Sequence, residues 1–396
     1  MSPSGDSPSC SKMHLSRQLG YDGKMTSDSI AVAAGQVLVA GFHGTHAPSW
    51  VTERLANCTL GGIILFSRNI IDVDQVTRLI DECRQPCTSD KPPLVAVDQE
   101  GGRVARLKSP VLSLPPMRAL GDIDDPELTY HLAHALGHQL RAIGFNMNFA
   151  PVLDVDTNPD NPVIGDRSFG RSPEVVSRHG LAFAEGLERA GIMACAKHFP
   201  GHGDTDLDSH LALPHLAHAM SRLEEVELPP FRAAAVTPPS AIAGGEWELS
   251  SIMTAHVVFE AIRPDVPATI APEVIQGILR EKLNFQGLVI SDDLEMKALS
   301  AHWSYRESAV RAIEAGCDVL LVCSQEDALA EAHLGLVEKA KSSQEFASTL
   351  RQAAERHLRY RRAKPPHPTT EPSERSSILH EDYALEYQER LASLLG

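Results

Sequence analysis

A dense run of acidic, imidazole and lysine side chains occupies residues 197–210, which read KHFPGHGDTDLDSH. The run holds three histidines, three aspartates and one lysine, and proline and glycine interrupt it. This mixture fits neither a helical nor a strand pattern, so the sequence predicts a loop that performs chemistry. Three functions suit these residue types: holding a metal ion, holding a phosphate, or moving protons to and from a neutral substrate.

Metal binding would use His198, His202, Asp204 and His210 as ligands. Proline and glycine in the segment HFPGH prevent the helix that would place the first two histidines on one face, and the sequence contains no compact ligand motif elsewhere. Phosphate binding would rest on the glycines, but the three aspartates would repel the anion. The sequence disfavours both functions.

Proton transfer would use Asp208 and His210. In an extended chain, side chains two residues apart point the same way, so these two are expected to touch across Ser209. The carboxylate would orient the imidazole and favour its protonated form. The upstream proline and glycines would let the loop move over a substrate. The alternative is a rigid surface loop in which the two side chains merely pair.

The elements that would position this loop are eight short apolar runs, which are typical of buried parallel strands. They span residues 35–42, 61–67, 93–100, 145–155, 192–199, 250–259, 287–293 and 318–323. Helical stripes of apolar residues separate several of them, at 73–83, 128–143, 176–190, 274–279 and 329–340. The alternation predicts an α/β fold, a (β/α)8 TIM-type barrel. A doubly wound open sheet is the alternative, but no GxGxxG motif follows the first run.

The chain divides into three predicted parts. Residues 1–28 form a disordered lead-in, residues 29–345 form the barrel, and residues 346–396 form C-terminal helices with a Pro- and Ser-rich linker at 363–377. The last helix is expected to dock through a stripe made of Tyr383, Tyr387, Leu391 and Leu394. An apparent insertion at 238–253 is expected to reshape the rim of the site or to contact a partner.

Composition excludes several classes of protein. The formal net charge of -16 repels phosphate backbones, so a nucleic-acid partner is not expected. No apolar run is long enough to span a bilayer, and the N-terminus lacks the apolar core of a signal peptide. Seven cysteines without a spacing pattern indicate free thiols in a reducing compartment. We therefore expect a cytoplasmic protein without a membrane partner.

Charged side chains follow five of the eight predicted strands, at the end where barrel enzymes place their active sites. They are Asp98, Glu100, Arg103 and Arg106, then Asp154, Asp156, Asp166 and Arg167, then Lys197 and His198, then His256, and finally Asp292 and Asp293. Asp292 has an alternative role as a helix cap, because Glu295 follows three residues later. His256 is more typical of a buried core histidine.

Five motifs resemble one enzyme family. The segments VDQEGGRVARL, FAPVLDVDTNP, IGDRSFG, KHFPGHGDTDLDSH and VISDDLEM resemble glycoside hydrolase family 3, in its β-N-acetylglucosaminidase branch. The resemblance runs from about residue 30 to 340. The β-glucosidase branch usually lacks the loop at 197–210 and takes its acid from a second domain, which we do not expect in this chain.

The resemblance implies a retaining hydrolysis through a covalent glycosyl-enzyme, with no metal or organic cofactor. Asp292 would be the nucleophile, His210 the acid/base and Asp208 its partner. The positions that hold the sugar would be Asp98, Arg106, Arg167, Lys197 and His198. A carboxylate suits an oxocarbenium-like transition state, and a histidine can donate a proton near neutral pH.

The implied substrates are small amino-sugar glycosides derived from chitin, glycans or peptidoglycan. A family 3 β-glucosidase is one alternative. A catalytically silent barrel that binds amino sugars is another, although such a protein would be expected to have lost Asp292 or His210. A neutral histidine base, unlike a carboxylate, would not repel anions, so phosphate is a further candidate acceptor for the glycosyl group.

Overall fold

The computed structural model describes residues 26–367 and 370–395. Most of the predicted lead-in, residues 1–25, lies outside the described residues. Its last two residues belong to the helix Ser27–Gln36, so the prediction of disorder is wrong there. The hydroxyl of Thr26 accepts a hydrogen bond from the amide of Ser29 and caps this helix.

Eight parallel strands close into a barrel, which confirms the predicted (β/α)8 fold. Each strand pairs with its neighbours in sequence, and Leu38 of the first strand pairs with Leu320 of the last. The strands are β1 (Leu38–Ala40), β2 (Gly62–Leu65), β3 (Leu94–Val97), β4 (Met147–Asn148), β5 (Met193–Phe199), β6 (Ser251–Thr254), β7 (Leu288–Asp293) and β8 (Val319–Val322). Almost all their residues are buried, as continuous apolar runs require.

Helices cover the outside of the barrel and contain the five predicted stripes, apart from Ala190, which caps the helix Pro173–Arg189. The principal helices are Ser49–Ala56, Val73–Arg84, Met117–Ile123, Pro126–Ile143, Pro173–Arg189, Leu228–Ala235, Glu273–Lys282, Tyr305–Ala315, Glu326–Ser342 and Gln344–Ala363. Two short sheets lie outside the barrel: Gln99–Gly101 with Val104–Ala105, and His215–Leu216 with Val258–Phe259. Within the described residues, every helix is too short or too polar to cross a membrane.

Strand β4 is much shorter than the predicted run 145–155. The ladder stops at Asn148, and Pro151 follows without an amide hydrogen to donate. The chain then returns to the barrel, where Val152 forms an isolated bridge with Lys197 of β5. This irregular path brings Asp154 beneath the loop that follows β5.

The C-terminal tail differs from its prediction in two places. The predicted linker contains the start of a helix, Pro372–Leu379, in which Arg375 is buried. The last helix, Asp382–Leu395, packs against Pro126–Ile143 through Tyr383 and Tyr387, as predicted, but Leu394 is 51% exposed. Arg390 already reaches Asp125, the cap of the partner helix, so the last turn extends beyond the surface it packs on.

The apparent insertion lies at the amino-terminal end of the barrel. Residues 238–250 are irregular, and the residues from 251 onward belong to β6. Trp247 and Leu249 are buried, and Ser250 donates hydrogen bonds to Glu188 at the end of the helix before β5. Because residues 238–250 directly precede β6, they lie at the amino-terminal end of the barrel. Residues 238–250 therefore lie away from the rim of the site, whereas Met253, within the predicted insertion, lines the cavity.

Candidate active site

A cavity opens at the carboxyl ends of the strands, and seven of the eight predicted site residues line it. They are Asp98, Arg106, Arg167, Lys197, His198, His210 and Asp292. The eighth, Asp208, contacts His210. Apolar side chains complete the wall: Ile64, Phe66, Val104, Phe149, Val163, Met253, Met296 and Leu321. The mixture of apolar walls and a few converging polar groups is typical of a small-molecule site.

Asp292, at the end of β7, faces this cavity and does not cap the next helix. The neighbouring Asp293 makes the local turn bonds, because its Oδ1 atom accepts from the amides of Glu295 and Cys323 at 3.0 and 3.2 Å. Burial raises the pKa of the Asp292 carboxyl, but His256, His198, the amide of Asp293 and His210 together outweigh burial, and the pKa lies below its usual value. Asp292 is therefore a carboxylate throughout the neutral range.

Asp208 and His210 form the predicted pair, with 2.8 Å between Oδ1 of the aspartate and Nδ1 of the histidine. The prediction of an extended chain is wrong here. The chain turns, because the carbonyl of Asp208 accepts hydrogen bonds from the amides of Leu211 and Ala212. Oδ1 of Asp208 also accepts from the amide of His210 at 2.8 Å. Burial raises the pKa of the Asp208 carboxyl, but the two hydrogen bonds and the charge of His210 outweigh burial and hold the pKa below its usual value.

Lys197 ends in a buried network of charges, which accounts for a lysine at the end of a buried strand. Its Nζ atom lies 2.9 Å from Asp98 Oδ1 and 2.7 Å from Glu100 Oε1. Arg167 binds Glu100 through two parallel hydrogen bonds of 2.7 and 2.8 Å. Arg106 lies 3.5 Å from the other oxygen of Asp98. Strand β5 and the segments that follow β3 and β4 thus present fixed donors and acceptors to one face of the cavity.

The charges of this network stabilise one another. Burial alone raises the pKa of the Glu100 carboxyl, but Arg167 and Lys197 together hold it well below its usual range. Burial lowers the pKa of Lys197, and Asp98 and Glu100 raise it above its usual value. Glu100 and Lys197 therefore remain charged in the neutral range, and the groups of the network carry donors or acceptors that match sugar hydroxyl groups.

Asp154 connects His198 with the loop that follows it. One carboxylate oxygen lies 2.7 Å from Nδ1 of His198, and the other accepts from the amide of His202 at 2.7 Å. The ring of His202 contacts Thr205 and Ser209, whereas Asp204 pairs with His218. The side chains of the loop histidines therefore contact different partners. Among the described residues, no group of three metal-ligating side chains is placed to hold a metal ion.

His256 has the structural role that its sequence context suggests. It is fully buried, and its Nδ1 and Nε2 atoms contact Thr269 Oγ1 and the carbonyl of Asp293 at 2.7 and 2.9 Å. Burial lowers the pKa of His256. The contact fixes the backbone next to Asp292.

Two buried carboxylates that the sequence marks only as strand-end residues turn out to organise the site. Glu100 joins Lys197 to Arg167, and Asp154 joins His198 to the loop at 202–205. Their position directly after an apolar run was the available signal. Arg103, also at a strand end, instead contacts the carbonyls of Val163 and Ile164 and lies half exposed.

Comparison with known proteins identifies relatives over most of the chain. The family model described as glycosyl hydrolase family 3 N terminal domain matches residues 35–359. A curated "Beta-hexosaminidase" of Nitrosomonas eutropha is 39% identical over 303 residues, which cover 74% of this chain and 82% of the relative.

Solved structures agree with these relatives. A glycoside hydrolase family 3 β-N-acetylglucosaminidase from Paenibacillus superposes with a TM-score of 0.84 at 39% identity, covering 92% of this chain and 68% of that one. NagZ from Neisseria gonorrhoeae, in complex with N-trifluoroacetyl-D-glucosamine, gives a TM-score of 0.74 at 30% identity, covering 91% and 98%.

Proposed function

The chain belongs to glycosyl hydrolase family 3, and from this premise we propose that it is a retaining exo-β-N-acetylglucosaminidase that uses Asp292, His210 and Asp208. It is a glycoside hydrolase, as its β-hexosaminidase relatives are. The observation that carries the assignment of residues is the shared cavity, where the partly buried carboxylate of Asp292 and an Asp–His pair face the same space.

The first step forms a covalent glycosyl-enzyme. The carboxylate of Asp292 attacks the anomeric carbon, while the imidazolium of His210 donates its proton to the departing glycosidic oxygen. The bond from carbon to the leaving oxygen breaks as the bond to the Asp292 oxygen forms. Asp208 stabilises the imidazolium and orients its ring from Nδ1, so Nε2 is the atom that donates.

The second step releases the sugar. The neutral imidazole of His210 takes a proton from water, and the resulting hydroxide oxygen attacks the anomeric carbon and displaces Asp292. Two displacements at one carbon retain the β configuration. The spacing of about 5–5.5 Å between two carboxyl groups in ordinary retaining enzymes does not apply here, because a histidine replaces one of them.

The charged network would hold the sugar. Lys197, Asp98, Arg106, Arg167 and His198 line one cavity and offer donors and acceptors to its hydroxyl groups. Because Lys197 and His198 are buried and all five residues have a charged partner, these groups are fixed before the substrate arrives. His210 has a side chain that is 65% exposed, so the leaving group would extend toward solvent. This arrangement supports removal of a terminal sugar from chitin-, glycan- or peptidoglycan-derived fragments.

The test is the release of nitrophenol from its N-acetyl-β-glucosaminide and, in parallel, from its β-glucoside. We expect turnover of the first and little of the second, with a β-configured sugar as the initial product by NMR. Preference for the glucoside would assign the protein to the β-glucosidase branch. Binding of N-acetylglucosamine without turnover would mean a silent barrel.

Cytoplasmic location is also proposed. Six cysteines of the described chain are free, and four of them are buried. Free thiols in such number are typical of a reducing compartment. Fractionation of cells that express the full chain, with detection by antibody, tests this; recovery from an oxidising compartment would contradict it.

A further inference from the structure

Ser209 stands between the two members of the acid/base pair, but its side chain points into the protein. Ser209 is 2% exposed, whereas the side chains of Asp208 and His210 are 30% and 65% exposed. Its hydroxyl oxygen lies 3.0 Å from Nε2 of the buried His202. The hydroxyl therefore bonds to the buried His202, and both residues lie in the wall of the cavity.

Each polar atom of His202 has a hydrogen-bond partner. Its amide donates to Asp154 at 2.7 Å, its carbonyl accepts from Asn161 at 2.9 Å, and its Nδ1 atom lies 2.7 Å from Thr205 Oγ1. Burial, the largest influence, lowers the pKa of His202 to about 4, so the ring is neutral near pH 7. A neutral imidazole has one donor and one acceptor nitrogen, and the two hydroxyls of Thr205 and Ser209 can match either tautomer.

Close packing of the backbone supports this arrangement. A Cβ atom on Gly203 would lie 1.9 Å from the carbonyl oxygen of Val155, so only glycine lets the chain approach the segment after β4 so closely. The loop next to His202 thus lies directly on the barrel.

The carbonyl of Ser209 makes a second connection. It accepts a hydrogen bond of 3.2 Å from the amide of Ala298, in the short helix Lys297–Ser300 that follows β7. That helix begins five residues after Asp292. Ser209 thus touches both the base of its own loop and the element that follows the proposed nucleophile.

We propose that Ser209, held by His202, is a positioning residue that sets the place of the Asp208–His210 pair relative to Asp292. The inference rests on the proposed function of that pair. Placement of a proton donor matters most for a leaving group that must be protonated, because an activated aryl group departs without much assistance. A residue with a purely structural role would affect both kinds of substrate equally.

The experiment compares kcat/KM for Ser209→Ala on a β-linked N-acetylglucosamine disaccharide and on the dinitrophenyl glycoside. Loss of one hydrogen bond should lower the value on the disaccharide by about tenfold and leave the value on the aryl glycoside within about twofold. Amide hydrogen exchange should accelerate in peptides covering residues 205–212 and remain unchanged in the strands.

Two further variants complete the design. Ser251→Ala is the matched control, since Ser251 is a buried serine whose hydroxyl donates one 2.8 Å bond to the carbonyl of Ala194 at the opposite end of the barrel. It should lose a similar amount of stability without distinguishing the two substrates. Ser209→Thr restores the hydroxyl and should recover most of the disaccharide activity.

Equal losses of Ser209→Ala on both substrates, or no loss on either, would overturn the proposal while leaving the proposed function intact. Failure of the function itself would appear differently, as a lack of turnover by the unmodified protein on both substrates.

Discussion

Replacement of Lys197 by methionine should destabilise the fold strongly. The ammonium group is 3% exposed and contacts two carboxylates, at 2.9 Å from Asp98 and 2.7 Å from Glu100. Removing one member of a buried ion pair costs about 3–5 kcal/mol, because the remaining charge stays buried without its partner. Glu100 retains its two bonds to Arg167, whereas Asp98 retains only Arg106 at 3.5 Å. We therefore expect a loss of about 3 kcal/mol, at the lower end of that range.

The measurement is the free energy of unfolding in urea, which is monitored by circular dichroism and extrapolated to water. Lys282→Met is the matched control, because Lys282 pairs with Glu224 on the surface, where both side chains are more than 40% exposed. This surface variant should change the free energy of unfolding very little. The double variant Lys197→Met, Asp98→Asn should recover part of the loss, since it also removes the uncompensated carboxylate.

Unfolding of Lys197→Met at the same urea concentration as Lys282→Met would contradict the predicted loss of stability. That result would mean that water reaches the network and screens its charges. A double variant less stable than the single one would show that Asp98 contributes through a contact other than its charge.

The remaining predictions concern the proposed chemistry. Asp292→Ala should abolish nearly all turnover without changing the unfolding midpoint, and azide should restore some activity with an inverted product; wild-type turnover by the folded variant would exclude Asp292 as the nucleophile. His210→Ala should lower kcat/KM on the disaccharide on the order of 10²–10⁴-fold and less on an activated aryl glycoside, and equal losses would assign the histidine another role. Asp208→Asn should move the alkaline limb of the pH–rate profile to lower pH, because the imidazolium loses its carboxylate partner; an unmoved limb would contradict that partnership. Phosphate should compete with water for the glycosyl-enzyme, and mass spectrometry should detect N-acetylglucosamine 1-phosphate in phosphate buffer; free sugar as the only product would make the protein a plain hydrolase.

The barrel and most of the charged groups in the cavity wall were predictable because the relevant signals are local. Each strand is a short apolar run that is buried on both faces, and polar residues directly after such a run must meet at the carboxyl end of the barrel. This rule alone brings Asp98, Lys197 and Asp292 into one cavity, as the structure confirms. The rule also places Glu100 and Asp154 at strand ends, but it does not indicate which side chains they contact.

The conformation of the catalytic loop was not predictable in the same way. Contact between Asp208 and His210 was expected for an extended chain, whereas the structure makes the same contact within a turn, and this turn has distant partners. One is His202 beneath Ser209, and another is the amide of Ala298 in a helix far along the chain. The exposed Leu394 has a similar cause: periodicity defines a stripe on a helix but does not show where the partner surface ends.

The segment at 238–250 provides a position for attaching the enzyme to a dye or a solid support. It lies at the amino end of the barrel, and the exposed Ala243 within it is far from the elements that surround the cavity. A dye or a solid support coupled through a cysteine at this position would orient every molecule with its cavity toward the bulk solution. Immobilised in that way, the enzyme could trim large or tethered glycans without obstruction by the surface that carries it.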